Sequence, residues 1–210
     1  MASRSTWVVV WLLVVNHLVG LIGLQWTPWS EQVAALTPVS LLVTAGLLIA
    51  TACRDRRFWT VFAVVSVAGY LVELAGVHTG VIFGEYAYLD NLGPTLLGVP
   101  PMIGLNWWIL IYSIHHVVRG LVPGVPAGVR IALGAALMVG IDLVIEPFAI
   151  EYGLWTWFGD AVPVRNYAAW FVVSAVLLAV VDRIVGRTEH STARLVFGVL
   201  LVFFTANAVL

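Results

Sequence analysis

Residues 129–150 read VRIALGAALMVGIDLVIEPFAI, a stretch of 22 positions with only three charged side chains. A bilayer core of roughly 30 Å takes about 20 mainly apolar residues of α-helix to cross, so this stretch has the length and character of a membrane span. The rest of the chain is similar, since 61% of its 210 residues are hydrophobic and 10% are charged. This balance excludes an ordinary soluble domain and predicts an all-α polytopic membrane protein.

Seven segments of this kind occur, and we expect them to form a single integral membrane domain over residues 1–210. They cover residues 7–25, 33–52, 58–77, 101–119, 129–150, 166–185 and 195–210. The first is too long for a secretory signal and no small-residue cleavage motif follows it, so it is expected to be a retained span. No internal repeat is visible in the sequence.

All ten basic residues are arginines, and nine of them fall on one side of the predicted bundle, with Arg165 alone on the other. The positive-inside rule therefore predicts a cytoplasmic amino terminus and an outer carboxyl terminus, in the cell's inner (plasma) membrane. Because the chain has no lysine, Schiff-base chemistry, including that of a retinal protein, is excluded. The net charge of -1 and the lack of a polybasic run argue against a nucleic-acid partner.

Sequence signals for metal and nucleotide sites are also lacking. The single Cys53 excludes an intrachain disulfide and a cysteine metal cluster. No HExxH, CxxC, glycine-rich phosphate loop or paired aspartate motif occurs. We therefore expect no metal and no cofactor.

Three carboxylates fall in the outer halves of predicted spans, where an ionisable side chain costs about 2.5–3.5 kcal/mol on insertion scales. Glu73, Asp142 and Glu146 all lie toward the outer side, and the last two share a helix face at i, i+4 spacing. Pro147 predicts a kink or loosened helix next to Glu146. The alternative is a structural role, in which the acids bond to one another or to Arg165.

Two long outer loops, residues 78–100 and 151–165, are rich in aromatic residues and glycine, whereas the inner loops are short and basic. Non-helical backbone at membrane depth is tolerated only where it is buried or lines a cavity, so a loop that dips inward predicts a pocket. An aromatic, water-poor pocket would keep a carboxyl group protonated and stabilise a nearby cation, as alkene protonation requires. The alternative is an ordinary interfacial belt of Trp and Tyr.

The histidines are less informative. His17 lies in mid-span and His115 and His116 lie at the inner end of the fourth span, so we expect them to be packing or interface residues. His78, at the outer end of the third span, is a candidate for a proton relay.

Two motifs in these regions resemble the signature of CruF-type membrane carotenoid hydratases, the family that includes bisanhydrobacterioruberin hydratases. The first, ELAGVHTGVIFGEYAYLDNLGPTLLGVP at residues 73–100 with a Trp in the next helix, supplies Glu73, Thr79, Gly80, Phe83, Gly84, Tyr86, Tyr88, Leu92, Gly93, Pro94, Gly98, Val99, Pro100 and Trp107. The second supplies Asp142, Glu146, Pro147, Gly153, Trp155, Trp157, Pro163, Asn166 and Trp170.

The resemblance implies addition of water to the terminal double bond of a carotenoid ψ end group, giving a tertiary alcohol without a cofactor. Its substrates would be of the γ-carotene or bisanhydrobacterioruberin type. We expect one of Asp142 and Glu146 to deliver the proton and Glu73 to activate water, and the reverse assignment stays open. The expected substrate-binding residues are Phe83, Tyr86, Tyr88, Asn106, Trp107, Trp155, Trp157, Asn166 and Trp170.

Two other functions fit the same residues. A membrane lycopene cyclase would protonate the same bond but quench the cation by ring closure. A carotenoid-binding or transport protein would use the acids and aromatics as a ligand pocket only. The expected partners are the carotenoid and membrane lipid, with other carotenoid biosynthesis enzymes as a further candidate.

Overall fold

The computed structural model describes residues 4–159, 161–186 and 188–210, and helices make up most of this part of the chain. They are α1 (Arg4–Trp26), α2 (Ser30–Ala34), α3 (Thr37–Thr51), α4 (Arg56–Thr79), α5 (Met102–Leu121), α6 (Ala127–Glu151), α7 (Val164–Val185) and α8 (Ser191–Val209). Seven of these are long, so the predicted all-α polytopic fold is confirmed. Most helices extend a few residues beyond the predicted ranges.

Six described helical spans are long and apolar enough to cross a membrane, and α5 is the long helix that does not meet this standard. The polar residues of α5 include Asn106, His115, His116 and Arg119, yet most of its side chains are buried. It packs against α3, α4, α6, α7 and α8. The helix therefore lies at the centre of the bundle, where its polar side chains are shielded from lipid by protein.

The predicted span 33–52 is interrupted in the structure. Ala35 and Leu36 form a turn between α2 and α3, and Pro38 lies in the first turn of α3. Proline is tolerated in a first turn, where its missing N–H would have no intrahelical partner, but not in a helix interior. The apolar run therefore restarts as a new helix before Pro38.

The helices that carry the acids reach the outer loops by different routes. Helix α4 begins at an Asp55 cap, whose side chain accepts from the Phe58 N–H at 2.9 Å, and it ends at Gly80, where φ is 62°. Helix α6 continues through Pro147 to Glu151. The missing N–H of Pro147 leaves the Leu143 carbonyl without its usual helical donor.

The two outer loops meet in a two-stranded antiparallel sheet, which we call the lid. Strand β1 (Tyr86–Tyr88) pairs with β2 (Trp155–Trp157), with Tyr86 opposite Trp157 and Tyr88 opposite Trp155. Alternate residues of a strand point to the same face. The two tyrosines and two tryptophans can therefore face the helices together.

Helices α6 and α7 pack against each other and are joined by polar contacts near both ends. At one end Arg130 pairs with Asp182 at 3.1 Å, and at the other Asn166 donates to Asp142 at 2.8 Å. These contacts lie twelve positions apart on α6 and sixteen apart on α7. The packing thus sets the depth of Asp142 relative to the beginning of α7.

The arginine-rich loops lie at the end of the bundle opposite the lid. Arg119 and Arg130 both pair with Asp182 there, and Arg165 lies at the lid end, in the first turn of α7. Arg187 and the side chain of Arg4, which enter the charge count, lie outside the described residues. The orientation of the termini stays a prediction.

Gly69 allows α4 and α5 to approach closely, and we expect Gly69→Ala to destabilise the protein. A Cβ at this position would lie 2.6 Å from side-chain atoms of Trp107. Overpacking of this kind costs about 1–3 kcal/mol, more than the gain of about 1 kcal/mol in helix propensity. Thermal unfolding in detergent measures the change. The matched control is Gly46→Ala, where a Cβ meets nothing within 4 Å; equal melting temperatures for the two variants would contradict this packing.

Candidate active site

Glu73 is the most completely hydrogen-bonded acid in the described part of the bundle. Its side chain is 4% exposed. Oε2 accepts from the hydroxyls of Tyr86 at 2.5 Å and Tyr88 at 2.7 Å, and Oε1 accepts from the Trp107 indole at 2.9 Å. An ionised carboxylate only accepts hydrogen bonds, so three donors on its two oxygens match the ionised form.

The two tyrosines act as donors because their hydroxyl groups stay protonated. Burial raises the pKa of both phenols above its ordinary value, and the nearby Glu73 carboxylate raises it further. Both hydroxyls therefore stay protonated at any pH the protein would meet. The lid supplies neutral donors to Glu73.

Glu146 is held by the other strand of the lid, but less completely. The indoles of Trp155 and Trp157 both donate to Oε2, at 3.0 and 2.9 Å. Oε1 has only a contact of 3.5 Å with the Asn166 amide, at the limit for a hydrogen bond. Oε1 is consequently free to carry a proton.

Asp142 lies one helical turn deeper and is 0% exposed. Its Oδ2 accepts from Asn166 at 2.8 Å, whereas Oδ1 is buried with no partner among the described residues. The same Asn166 amide reaches Glu146, so it links the two acids. Asn166 is itself placed at the beginning of α7, where its N–H donates to the Pro163 carbonyl at 2.8 Å.

A small cavity separates Glu73 from Glu146 beneath the lid. Its wall is formed by Glu73, Phe83, Tyr86, Tyr88, Ile103, Glu146, Trp155, Trp157, Asn166 and Trp170. The volume open to the centre of a water-sized sphere is about 20 Å³. A polar cavity needs about 10–15 Å³ of such space to hold one water, so this one has room for a water between the two carboxyls.

Aromatic rings enclose the carboxyls. Trp107 and Trp170 stack with centroids 4.5 Å apart and planes 27° apart, and Tyr86 lies 5.1 Å from Trp157. Ring faces carry negative charge density that attracts a cation. The cavity therefore combines two acids, space for one water and a wall suited to a transient positive charge.

The two halves of the site repeat each other. In α4–β1–α5 and again in α6–β2–α7, the first helix carries a glutamate, and two aromatic residues of the next strand donate to it. The antiparallel register is symmetric about the pair Ala87 and Thr156. The stacked Trp107 and Trp170 come from the second helix of each half. The two halves thus repeat one order of helix, strand and helix, and their strands pair symmetrically about Ala87 and Thr156.

The two halves carry different residues one helical turn before each glutamate. Position i−4 is Gly69 in the first half and Asp142 in the second. Gly69 is closed over by Trp107, whereas Asp142 adds a second carboxyl close to Glu146. Two carboxyls so close in a water-poor site resist carrying two negative charges. The second half is therefore the one suited to retain a proton.

The structure brings most of the predicted site residues together, although their catalytic and binding roles stay predictions. Asn106 is the exception, because it is half-buried, is absent from the cavity wall and makes no side-chain hydrogen bond among the described residues. His78 bonds to the Leu97 carbonyl at 3.1 Å and also lies off the wall. Ile103 was not predicted; its position one turn before Trp107 on the same face of α5 was the available signal.

Comparisons with known proteins point to the same kind of protein as the two sequence motifs. Residues 9–210 match the model of a family described as carotenoid biosynthesis protein. A bisanhydrobacterioruberin hydratase of Haloarcula japonica is 32% identical over 136 residues, which cover 61% of this chain and 46% of that relative. The chain thus spans less than half the length of the curated relative it matches. No solved structure matches.

Proposed function

Because this chain belongs to the carotenoid biosynthesis protein family, we propose that it is a membrane carotenoid hydratase. It would add water to the terminal double bond of a ψ end group, in a γ-carotene-type or bisanhydrobacterioruberin-type substrate, and form a tertiary alcohol. The observation that carries the proposal is the pair of buried carboxyls, Glu73 and Glu146, on a cavity with room for one water. The name of the haloarchaeal relative supports the same reaction.

In the first step Glu146 acts as the acid. The π electrons of the terminal alkene take the proton from Oε1, forming a C–H bond at the less substituted carbon and leaving a tertiary cation and the Glu146 carboxylate. Oε2 keeps its two indole donors, which stabilise the negative charge that develops on Glu146. Asp142 would act through Asn166 as a positioning residue, since it does not line the cavity.

In the second step Glu73 acts as the base. The water oxygen bonds to the cation while its proton passes to the Glu73 carboxylate, so the substrate gains one water in total. A new water entering the cavity would return the proton from Glu73 to Glu146. The reverse assignment fits less well, because the three donors on Glu73 favour its ionised form.

The aromatic wall would protect the cation between the two steps. Excluding bulk water prevents side reactions, and the rings of Trp170 and Trp157 on the cavity wall offer negative charge density. The cavity in this structure has room for one water but is too small for an isoprenoid end group. Substrate binding would therefore require the lid to move away from the helices.

We expect Asp142→Asn to lower the hydration rate by about 10²-fold, the scale of a small misplacement of a catalytic group. Asparagine would leave Asn166 facing a second amide and disturb the link to Glu146. The assay is the amount of hydroxylated carotenoid formed in isolated membranes. Asp90→Asn, an exposed change in the outer loop, is the control. A loss of about 10⁴-fold, the scale of removing the general acid itself, would instead make Asp142 the proton donor.

Expression in a bacterium that accumulates lycopene or γ-carotene tests the function as a whole. A hydratase increases the mass of the pigment by one water. A cyclase leaves the mass unchanged but alters the spectrum and retention, and a binding protein co-purifies with unaltered pigment.

We also propose that the protein lies in the plasma membrane, with lipid and other carotenoid biosynthesis enzymes as its expected surroundings.

A further inference from the structure

A second polar cavity lies at the opposite, arginine-rich end of the bundle. Its volume open to the centre of a water-sized sphere is about 100 Å³, and Thr51, Tyr112, His116 and His190 are part of its wall. Along α4, the Asp55 cap beside this cavity and Glu73 are eighteen residues apart, about 27 Å of helix. The cavity is therefore separate from the carboxyl site.

His190 presents a lone pair that nothing in the described chain satisfies. The Thr51 hydroxyl donates to the Leu47 carbonyl at 2.8 Å, so the His190 Nε2 located 3.0 Å from that hydroxyl must be the donor. Burial lowers the pKa of His190 to about 4, and the ring is neutral at physiological pH. The buried Nδ1 is consequently an acceptor without a partner.

His116 lacks more hydrogen-bond partners than His190 does. The residue is 3% exposed, and neither of its ring nitrogens has a partner among the described residues. A neutral imidazole needs one acceptor and one donor. The His116 and His190 rings lie edge to face with centroids 5.8 Å apart, and both residues line the cavity, so a hydroxyl group that enters between them would be able to accept from one ring and donate to the other.

The rim of this cavity holds one arginine and two carboxylates, and each carboxylate has a partner of its own. The Asp55 carboxylate already caps α4 through the Phe58 N–H, and Glu189 pairs with Arg194 at 3.4 Å. Arg57, also on the wall, forms no ion pair within residues 4–159, 161–186 and 188–210. The rim lies between the end of α3 and the beginning of α4, and the ends of membrane-spanning helices are where lipid phosphates are expected.

We propose that this cavity binds a phosphoglycerol group, with a glycerol hydroxyl between His116 and His190 and the phosphate beside Arg57. Hydroxyls satisfy both the donor and the acceptor deficits of the rings, and the guanidinium suits a phosphate. The source to which we commit is the head group of phosphatidylglycerol. Free glycerol 3-phosphate has the same chemistry and is distinguished by the test.

The test uses the full chain in phosphatidylcholine nanodiscs with increasing fractions of phosphatidylglycerol or phosphatidylethanolamine. We expect only phosphatidylglycerol to raise the melting temperature, as a ligand of the folded state does. His116→Leu and His190→Leu should weaken its apparent affinity about tenfold each, and Arg57→Gln similarly. His78→Leu, at the other end of the bundle, should retain the wild-type response. If the leucine variants do not fold, His116→Gln and His190→Gln take their place.

Two results would overturn this site. Equal melting temperatures in all three lipids would mean that the cavity holds only water. An undiminished phosphatidylglycerol response in the histidine and arginine variants would place the lipid elsewhere. Stabilisation by soluble glycerol 3-phosphate in pure phosphatidylcholine would support the site but overturn the lipid as its source.

Discussion

Glu73→Gln should lower the rate of carotenoid hydration by about 10²- to 10⁴-fold, the contribution of a positioned general base. A glutamine cannot take the proton from water, although its side chain has the size of the glutamate it replaces. The tyrosine hydroxyls can rotate to accept from the new amide, so the fold should survive. The rate is measured as hydroxylated product formed per unit of protein in isolated membranes.

The matched control for this change is Glu85→Gln, an exposed position in the same outer loop. It should leave the rate unchanged. Tyr86→Phe and Tyr88→Phe each remove one donor from Glu73 and should give intermediate rates. A wild-type rate in Glu73→Gln would end the role of this residue as the base.

Glu146→Gln should lower the hydration rate by a similar factor of about 10²- to 10⁴-fold, because an amide cannot protonate an alkene. Trp155 and Trp157 both donate to the same oxygen of Glu146. Glutamine retains an oxygen that can accept from them, so the lid should stay paired. The same product assay and the exposed Glu151→Gln control apply.

Heavy water separates the roles of the two glutamates. In Glu73→Gln the acid is intact, so the alkene can be protonated and revert, and recovered substrate should carry deuterium at its terminal end group. In Glu146→Gln no cation forms, and recovered substrate should carry none. The opposite distribution of deuterium would make Glu73 the acid and Glu146 the base.

Much of the fold follows from the length of the apolar segments, because a bilayer accepts few alternatives to helices of about 20 residues. The depth of the acids follows too, since Glu73 and Glu146 are near the outer ends of their spans in the sequence. Helix α5 could not be recognised as central, because burial by other helices depends on tertiary packing. The break before Pro38 was missed because the apolar pattern continues across it.

The contacts within the site could not be predicted from the sequence, for a different reason. Tyr86 and Trp157 pair across 71 positions of chain, and no local pattern specifies which strands meet or in which register. The two-fold repeat is equally hidden. It keeps the arrangement of strand donors but not the residue types, with two phenols of β1 on Glu73, two indoles of β2 on Glu146, and Gly69 in the place of Asp142.

The lid explains how two long loops can serve one reaction. Each strand holds the glutamate of its own half, while the pairing of the strands keeps the two carboxyls across one cavity. Moving the lid to admit an end group would break the hydrogen bonds that its two strands donate to Glu73 and Glu146 at the same time. Closing it would restore the complete donor set of Glu73 and the free Oε1 of Glu146 at the same time.

The most direct test of hydration is to incubate the purified chain with a carotenoid that has a ψ end group in water enriched in the heavy oxygen isotope. The account predicts a product heavier than the substrate by one molecule of that labelled water, with the label in a tertiary hydroxyl group. It also predicts that the Glu73→Gln and Glu146→Gln variants yield little of it. A product of unchanged mass, or one without the label, would contradict the account.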